Sequence, residues 1–185
     1  MRAASSILLL IAAMTLGVLT PQSARALASA AEAPPAPEFT HRGSEHWINS
    51  APLTLQALRG SVVLLDFWTF DCWNCYRSFP WLRNVEAKYA REGLKIIGVH
   101  SPEFDHERIP ANVAKKVEEF MLQHPVMIDN DFSYWNAMRN RYWPAFFLID
   151  RQGRVRAVHV GETHDGDSQA REIEADIETL LAEPP

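Results

Sequence analysis

Residues 61–75 read SVVLLDFWTFDCWNC, an apolar run that ends in a pair of cysteines. Apart from Ser61 and Asp66, residues 61–68 are apolar on both alternating faces, which is typical of a central strand buried on both sides. Cys72 and Cys75 follow at once and are separated by about one helical turn. The stretch therefore predicts a buried strand that leads directly into a helix carrying two cysteines near its start.

The cysteine pair has the spacing and position of a redox centre. A helix N-terminus offers unpaired N–H groups and a partial positive charge, which stabilise a thiolate. We therefore predict that Cys72 is the nucleophile and that Cys75, inside the helix, resolves the mixed disulfide. Structural zinc would need two further ligands, and a purely structural disulfide would close a very short loop. Cu(I) held by both thiolates with His100 or His159 remains an alternative.

The rest of the chain alternates predicted strands and helices. Strands are predicted at 94–100, 126–128, 145–150 and 154–160, the last two joined by a turn with Gly153 in a left-handed conformation. Helical spacing predicts helices at 72–91, 111–124, 132–141 and 168–181, with Pro80 kinking the first. This order predicts an α/β fold whose mixed sheet is covered on both faces.

Composition bounds the class of protein. The 185 residues are 47% hydrophobic and 22% charged, with a net charge of −5, which fits one globular domain plus a short extra segment. Normal apolar content excludes a disordered or collagen-like chain. The lack of a basic excess argues against nucleic acid as a partner. Two cysteines are too few for a disulfide scaffold of this size.

The N-terminal region is predicted to be an export signal followed by a linker. Arg2 precedes a short apolar run over residues 7–19, and small residues follow at 26–28. The run is shorter than the roughly 20 residues that span a bilayer, so we expect a signal peptide at 1–28, cleaved after Ala28; an uncleaved anchor is the alternative. Residues 29–37 are Ala/Pro-rich and are expected to be a solvated linker before a domain at 38–185.

The chain resembles the thioredoxin superfamily in its exported TlpA-like branch, and is similar to the thioredoxin-like domain of DipZ-type proteins. The resemblance covers roughly residues 47–181. It rests on WINSAPLTLQALRG, VVLLDFWTFDCWNC, GVHSPEF, DNDFSYWNAMRNRYWPAFFLID and GRVRAVHVG, all in register. It implies a thioredoxin fold, with a central mixed sheet flanked by helices and an N-terminal extension.

The resemblance also assigns roles to single residues. Cys72 matches the attacking cysteine and Cys75 the resolving one. Pro80 matches the proline that kinks the active-site helix. Pro144 matches a cis-proline that faces the disulfide and helps dock an extended substrate backbone. Only about 5–6% of X–Pro bonds are cis, and a trans proline opening the next strand would be the ordinary expectation.

Four further residues are candidates for the site. Asp66 occupies the position of thioredoxin's buried acid, where a raised pKa would let it exchange a proton with Cys75; an aspartate solvated at the strand end is the alternative. Glu103 follows the end of a strand and is a possible proton-transfer group or a solvated loop acid. Trp73 and Trp143 are predicted to dock substrate, although aromatic residues more often belong to the core.

Three positions depart from the family pattern. Trp73 and Asn74 replace thioredoxin's Gly-Pro between the cysteines, so the reduction potential is not inherited. Asp71 replaces the usual tryptophan, and its charge would oppose thiolate formation at Cys72. Ser78 stands where several TlpA-like reductases have a glutamate. The direction of electron flow is therefore open.

These observations predict an exported thiol–disulfide oxidoreductase of the bacterial cell envelope, acting as a monomer on disulfide-containing proteins. The resemblance implies recharging by a membrane thiol donor of the DsbD or CcdA class. We expect no metal and no cofactor besides the Cys72–Cys75 disulfide. The alternatives are Cu(I) delivery and thiol peroxidase activity. Thr69 lies three residues before Cys72 as a peroxidase requires, but Asp66 or Leu65 occupies the proline position upstream.

Overall fold

The apolar run at 62–68 forms a central strand of a six-stranded sheet in the computed structural model, which describes residues 27–184. The strands are β1 (Trp47–Ile48), β2 (Val62–Trp68), β3 (Leu94–His100), β4 (Val126–Ile128), β5 (Ala145–Ile149) and β6 (Val155–Val160). The helices are α1 (Trp73–Tyr89), α2 (Pro110–Glu119), α3 (Ser133–Ala137) and α4 (Ser168–Ala182). The strand order is β1-β4-β3-β2-β5-β6.

Strand β2 is paired along its length on both edges. It runs parallel to β3, with Asp66 opposite Gly98, and antiparallel to β5, with Asp66 opposite Phe146. Every residue of β2 is buried, as its continuous apolar sequence predicted. Because β3 and β5 take up both edges, the end of β2 and the cysteines that follow it are held by the centre of the sheet.

Side chains of β2 alternate between two apolar layers. Leu64 and Trp68 belong to the layer formed with α1, α2 and α4. Leu65 and Phe67 belong to the opposite layer, formed with α3 and with apolar residues from the segment 39–55. Both faces of the mixed sheet are therefore covered, and the predicted thioredoxin-like α/β fold is confirmed.

Predicted and observed elements differ mainly at helix ends. The predicted helix at 111–124 ends at Glu119, because Met121 takes a left-handed conformation with φ of 57°. The predicted helix at 132–141 shrinks to α3, since Phe132 and Arg139 on either side are also left-handed, with φ of 59° and 55°. The first predicted helix ends at Tyr89 and continues as a 3-10 turn at Ala90–Glu92.

The segment predicted as a solvated linker contacts the sheet. Pro35 forms a β-bridge with Arg154, and the N–H of Val155 donates to the carbonyl of Pro34 over 2.9 Å. Ala33 is buried, and its carbonyl accepts a hydrogen bond from the Arg154 guanidinium. Residues 33–36 therefore follow the start of the outer strand β6.

Two features of the N-terminal region complete the fold. Strand β1 was not predicted, because two residues are too short to show an alternating pattern; it pairs antiparallel with β4. Of the predicted signal peptide at 1–28, residues 1–26 lie outside the described residues. Between residues 27 and 184, none of the helices has the length and apolar character needed to cross a membrane.

Candidate active site

The cysteine pair lies where β2 hands the chain to α1. Cys72 is the N-cap of α1 and Cys75 lies in its first turn; the two form a disulfide with Cα atoms 5.2 Å apart. The N–H of Cys75 donates to Cys72 Sγ over 3.2 Å. Cys72 is partly exposed whereas Cys75 is fully buried, so an incoming molecule reaches Cys72 first.

The Trp143–Pro144 peptide bond is cis, as the resemblance implied. Pro144 is buried and immediately precedes β5. Because β5 runs antiparallel to β2, the start of β5 lies beside the end of β2, on the same side of the sheet as the cysteines. Trp143 packs against both apolar layers and lies on Trp135, with ring centroids 4.4 Å apart. Its indole Nε1 is buried without a hydrogen-bond partner. The predicted docking residue is thus partly a core residue.

Trp73, between the cysteines, is the most exposed large apolar side chain of the described residues. Its exposed fraction is 63%, and its ring stands edge-on to Tyr76. The Arg77 guanidinium lies 5.9 Å from the ring centroid. Most of the Trp73 side chain is therefore accessible to solvent.

Asp66 is buried on the α1 side of β2. Alternation along the strand places it on the same side as Leu64 and Trp68, in the layer that contains Cys75. Neither carboxylate oxygen has a hydrogen-bond partner. Burial alone raises the pKa of Asp66 to about 8, so the side chain is mostly protonated at neutral pH.

Of the three acids in the loop after β3 (Glu103, Asp105 and Glu107), the structure buries only Glu107. Glu103 is exposed, while the exposed fraction of Glu107 is 0%. Glu107 Oε1 accepts hydrogen bonds from the Thr69 hydroxyl (2.5 Å) and the Asp71 N–H (3.0 Å). Its Oε2 accepts the N–H groups of Glu103 (2.6 Å) and Phe104 (2.7 Å). Sequence reasoning missed Glu107; the available signal was its place at the third position of a turn, where an acid reaches back to cap it.

His100 closes β3 beside the site but does not join the cysteines. Its ring lies between Trp68 and Phe70, with centroids 4.9 and 5.6 Å away, and its Nε2 is 3.4 Å from the Thr69 hydroxyl oxygen. Burial lowers the pKa of His100 to about 4 against the opposing charge of Glu107, so the ring is neutral. The Thr69 hydroxyl donates its proton to the Glu107 carboxylate, so this proton is not available to another acceptor.

The potential metal ligands of the described residues gather elsewhere. In residues 27–184 one group of three has its ligand atoms within 4.8 Å of one another: His41, Asp129 and Asp131. His159, the other histidine considered for copper, instead pairs with Asp176 at 2.9 Å. The copper alternative thus has no third ligand grouped with the cysteines in this part of the chain.

Asp71 and Ser78, two of the departures from the family pattern, both have partners. The carboxylate of Asp71 pairs with His106 Nε2 at 2.5 Å on the surface. Ser78 is buried; its hydroxyl donates to the carbonyl of Asn74 and accepts the N–H of Thr163. Ser78 therefore fastens the first turns of α1 to the loop after β6.

Comparison with known proteins agrees with this arrangement. The Redoxin family profile matches residues 31–177. The chain is 43% identical to the protein DipZ of Mycobacterium bovis over 124 residues, which are 65% of this chain and 18% of DipZ. It is 26% identical to the thiol–disulfide oxidoreductase YkuV of Bacillus subtilis over 149 residues, which are 80% of this chain and 95% of YkuV.

Solved structures give the same result. A thioredoxin-like superfamily protein superimposes with a TM-score of 0.72 at 29% identity, covering 82% of this chain and 99% of the other. The thiol:disulfide interchange protein DsbE of Chlorobium tepidum has a TM-score of 0.69 at 27% identity, covering 81% and 97%. The chain therefore belongs to the Redoxin family and has a thioredoxin-like fold, and it spans about a fifth of the length of DipZ.

Proposed function

We propose that this chain is a thiol–disulfide oxidoreductase that is exported and reduces disulfides in other proteins. The observation that carries the proposal is the difference in exposure between the two cysteines. Cys72 is partly exposed at the start of α1 and its sulfur accepts a hydrogen bond from the N–H of Cys75, whereas the Cys75 side chain is buried. An N–H aimed at the sulfur favours its thiolate form. Export is supported by the signal-like sequence at 1–28.

The proposed reaction is a two-step exchange. The Cys72 thiolate attacks one sulfur of the substrate disulfide, which forms a mixed disulfide and releases the other substrate sulfur as a thiolate. Cys75, once deprotonated, attacks Cys72 Sγ, which closes the Cys72–Cys75 disulfide and releases the second substrate sulfur. Two electrons pass to the substrate, and the two thiol protons end on its released sulfurs.

Asp66 is proposed as the group that takes the proton of Cys75. A buried carboxyl with a pKa of about 8 can hold or release a proton near neutral pH, which a solvated aspartate cannot do. It shares the α1-facing layer with Cys75. Glu103, by contrast, is exposed, and its placement does not favour the proton-transfer role considered for it.

Substrate docking is proposed at Trp73, Trp143 and the cis-Pro144. The exposed ring of Trp73 suits an extended peptide with apolar side chains, and Trp143 immediately precedes the cis-proline. Recharging by a membrane thiol donor of the DsbD or CcdA class follows from the family resemblance. We also propose that the protein acts as a monomer and needs no other cofactor.

Reduction of insulin disulfides, with dithiothreitol as the electron source, tests the proposal. We expect wild-type protein to accelerate insulin precipitation and Cys72→Ser to be indistinguishable from the reaction without protein. Cys75→Ser provides the matched comparison, because it should retain the first step and accumulate a mixed disulfide on Cys72. Equal rates for wild type and Cys72→Ser would refute the function. A mixed disulfide on Cys75 in the Cys72→Ser protein would reverse the roles of the two cysteines.

A further inference from the structure

The 3-10 turn at Asp105–Arg108 holds the residue before Cys72 from two sides. Glu107 accepts the backbone N–H of Asp71, and His106 pairs with the Asp71 carboxylate. Glu107 also accepts the hydroxyl of Thr69, two residues earlier. The short connection from β2 to Cys72 is therefore attached to this turn by two hydrogen bonds to the buried Glu107 and one exposed contact with His106.

The buried contact carries a charge. Burial favours the neutral form of Glu107, but the hydrogen bonds from Thr69, Asp71, Phe104 and Glu103 outweigh it and lower the pKa, so the carboxylate is ionised at neutral pH. Since the Thr69 hydroxyl gives its proton to Glu107, the N–H of His100 Nε2 is left to face the hydroxyl oxygen.

The basic side chains nearest this turn are exposed or paired with other acids: Lys115 is exposed, Lys116 pairs with Glu119, and Arg77 pairs with Glu162. His100 is neutral because it is buried. Asp66 is mostly protonated at neutral pH. His106 is paired with the exposed Asp71 carboxylate. The Glu107 carboxylate is thus the buried negative charge next to the N-terminus of α1.

We propose that Glu107 is a positioning residue for the redox pair: it fixes Asp71 and Thr69 so that Cys72 caps α1, and its buried charge favours the disulfide over the Cys72 thiolate. A negative charge in a low-dielectric site disfavours a second one nearby. A destabilised thiolate makes the dithiol form less stable, which makes the protein a stronger reductant. The inference rests on Cys72 being the attacking thiol.

The equilibrium with glutathione tests this role. In that reaction two glutathione thiols reduce the Cys72–Cys75 disulfide, giving the protein dithiol and one glutathione disulfide. At a pH above the alkylation midpoint of Cys72 in both proteins, where the reduced form carries the thiolate, we expect Glu107→Gln to shift the equilibrium about tenfold toward the dithiol, or about 30 mV for a two-electron couple. Its pH midpoint for alkylation of Cys72 should fall by about one unit. Glu118→Gln, the same change at an exposed position of α2, should leave both quantities unchanged.

Thr69→Val provides a second, opposite test. It keeps the Glu107 carboxylate and its three backbone donors but removes the hydroxyl that partly offsets the charge. We therefore expect the glutathione equilibrium to move toward the disulfide. If the two substitutions acted only by loosening the turn, both would shift the glutathione equilibrium in the same direction. Opposite shifts therefore distinguish the effect of the Glu107 charge from a purely structural effect. Thr69→Val decides the matter alone if Glu107→Gln does not fold.

Two results would overturn the inference. One is a folded Glu107→Gln protein whose glutathione equilibrium lies within twofold of wild type. The other is Thr69→Val moving toward the dithiol. Either result could occur in a protein that still reduces insulin, so failure of this inference is distinguishable from failure of the proposed function.

Discussion

At the scale of single residues, Asp66 is unusual because it is a buried acid without a hydrogen-bond partner. A group in that state destabilises the fold when ionised. Its pKa rises from the ordinary 3.8 to about 8 through burial, so the folded protein binds one proton more than the unfolded chain between these two pH values. The stability that protonated Asp66 permits is therefore present at low pH and is lost as the pH rises toward 8.

The oxidised Asp66→Asn protein should lack this pH dependence. The difference in unfolding free energy between the variant and wild type should move in favour of the variant by about 1.4 kcal/mol per pH unit from pH 5 to pH 7. Urea unfolding at several pH values measures it. Asp165→Asn, at an exposed position, should give a curve parallel to wild type. A parallel curve for Asp66→Asn would mean that Asp66 is ionised in the folded protein.

At the scale of elements, helix α1 is fastened near its start as well as capped. Cys72 caps it, and one turn after Cys75 the Ser78 hydroxyl receives the N–H of Thr163 at 2.9 Å. A glutamate at this position would bring a charge to a buried site, whereas the serine satisfies a buried N–H. The departure from the family pattern thus has a structural purpose here.

Ser78→Ala should leave the N–H of Thr163 buried and unpaired. Such a loss costs about 1–3 kcal/mol in unfolding free energy, which urea unfolding of the oxidised protein measures. Thr179→Ala, which removes an exposed hydroxyl bonded within α4, should change the unfolding free energy by no more than about 0.5 kcal/mol. A loss at Ser78 no larger than that at Thr179 would show that water replaces the serine.

At the scale of the whole molecule, the segment before residue 38 belongs to the folded domain as much as to a linker. Its hydrogen bonds to Gly153, Arg154, Val155 and Arg156 extend β6 on its open side. An unpaired strand edge is a template for association with other chains, and this segment occupies part of it. The core does not depend on the segment, since both apolar layers lie around β2.

A protein that begins at residue 38 should therefore fold but be less stable than one that begins at residue 27. We expect a loss of about 1–3 kcal/mol, from a few hydrogen bonds of about 0.5–1.5 kcal/mol each, and a greater tendency to self-associate. Urea unfolding and sedimentation of the two proteins measure these effects. Identical stability and an identical monomer fraction would restore the interpretation as a solvated linker.

Much of this architecture was predictable because its strands are long and apolar. The bounds of β3 and β4 agree with the prediction, and β2 differs by one residue, since buried runs between turn residues are distinctive. Helices were predicted too long where Met121 or Arg139 turns left-handed, which no apolar period reveals. The positions of the cysteines and of Pro144 followed from motifs. Glu107 did not, because its one signal is the third position of the turn Asp105–Arg108, and Phe104 before that turn is not a usual capping residue.

Trp143 packs against both apolar layers and also stands at the cis-proline beside the cysteines. A change in the packing of either layer can therefore move the Trp143 ring and, with it, the backbone next to the active-site cysteines. Substitutions that create cavities in either layer, far from sulfur, should change substrate affinity together with stability. Through Trp143, evolutionary selection on the packing of the core also acts on substrate binding.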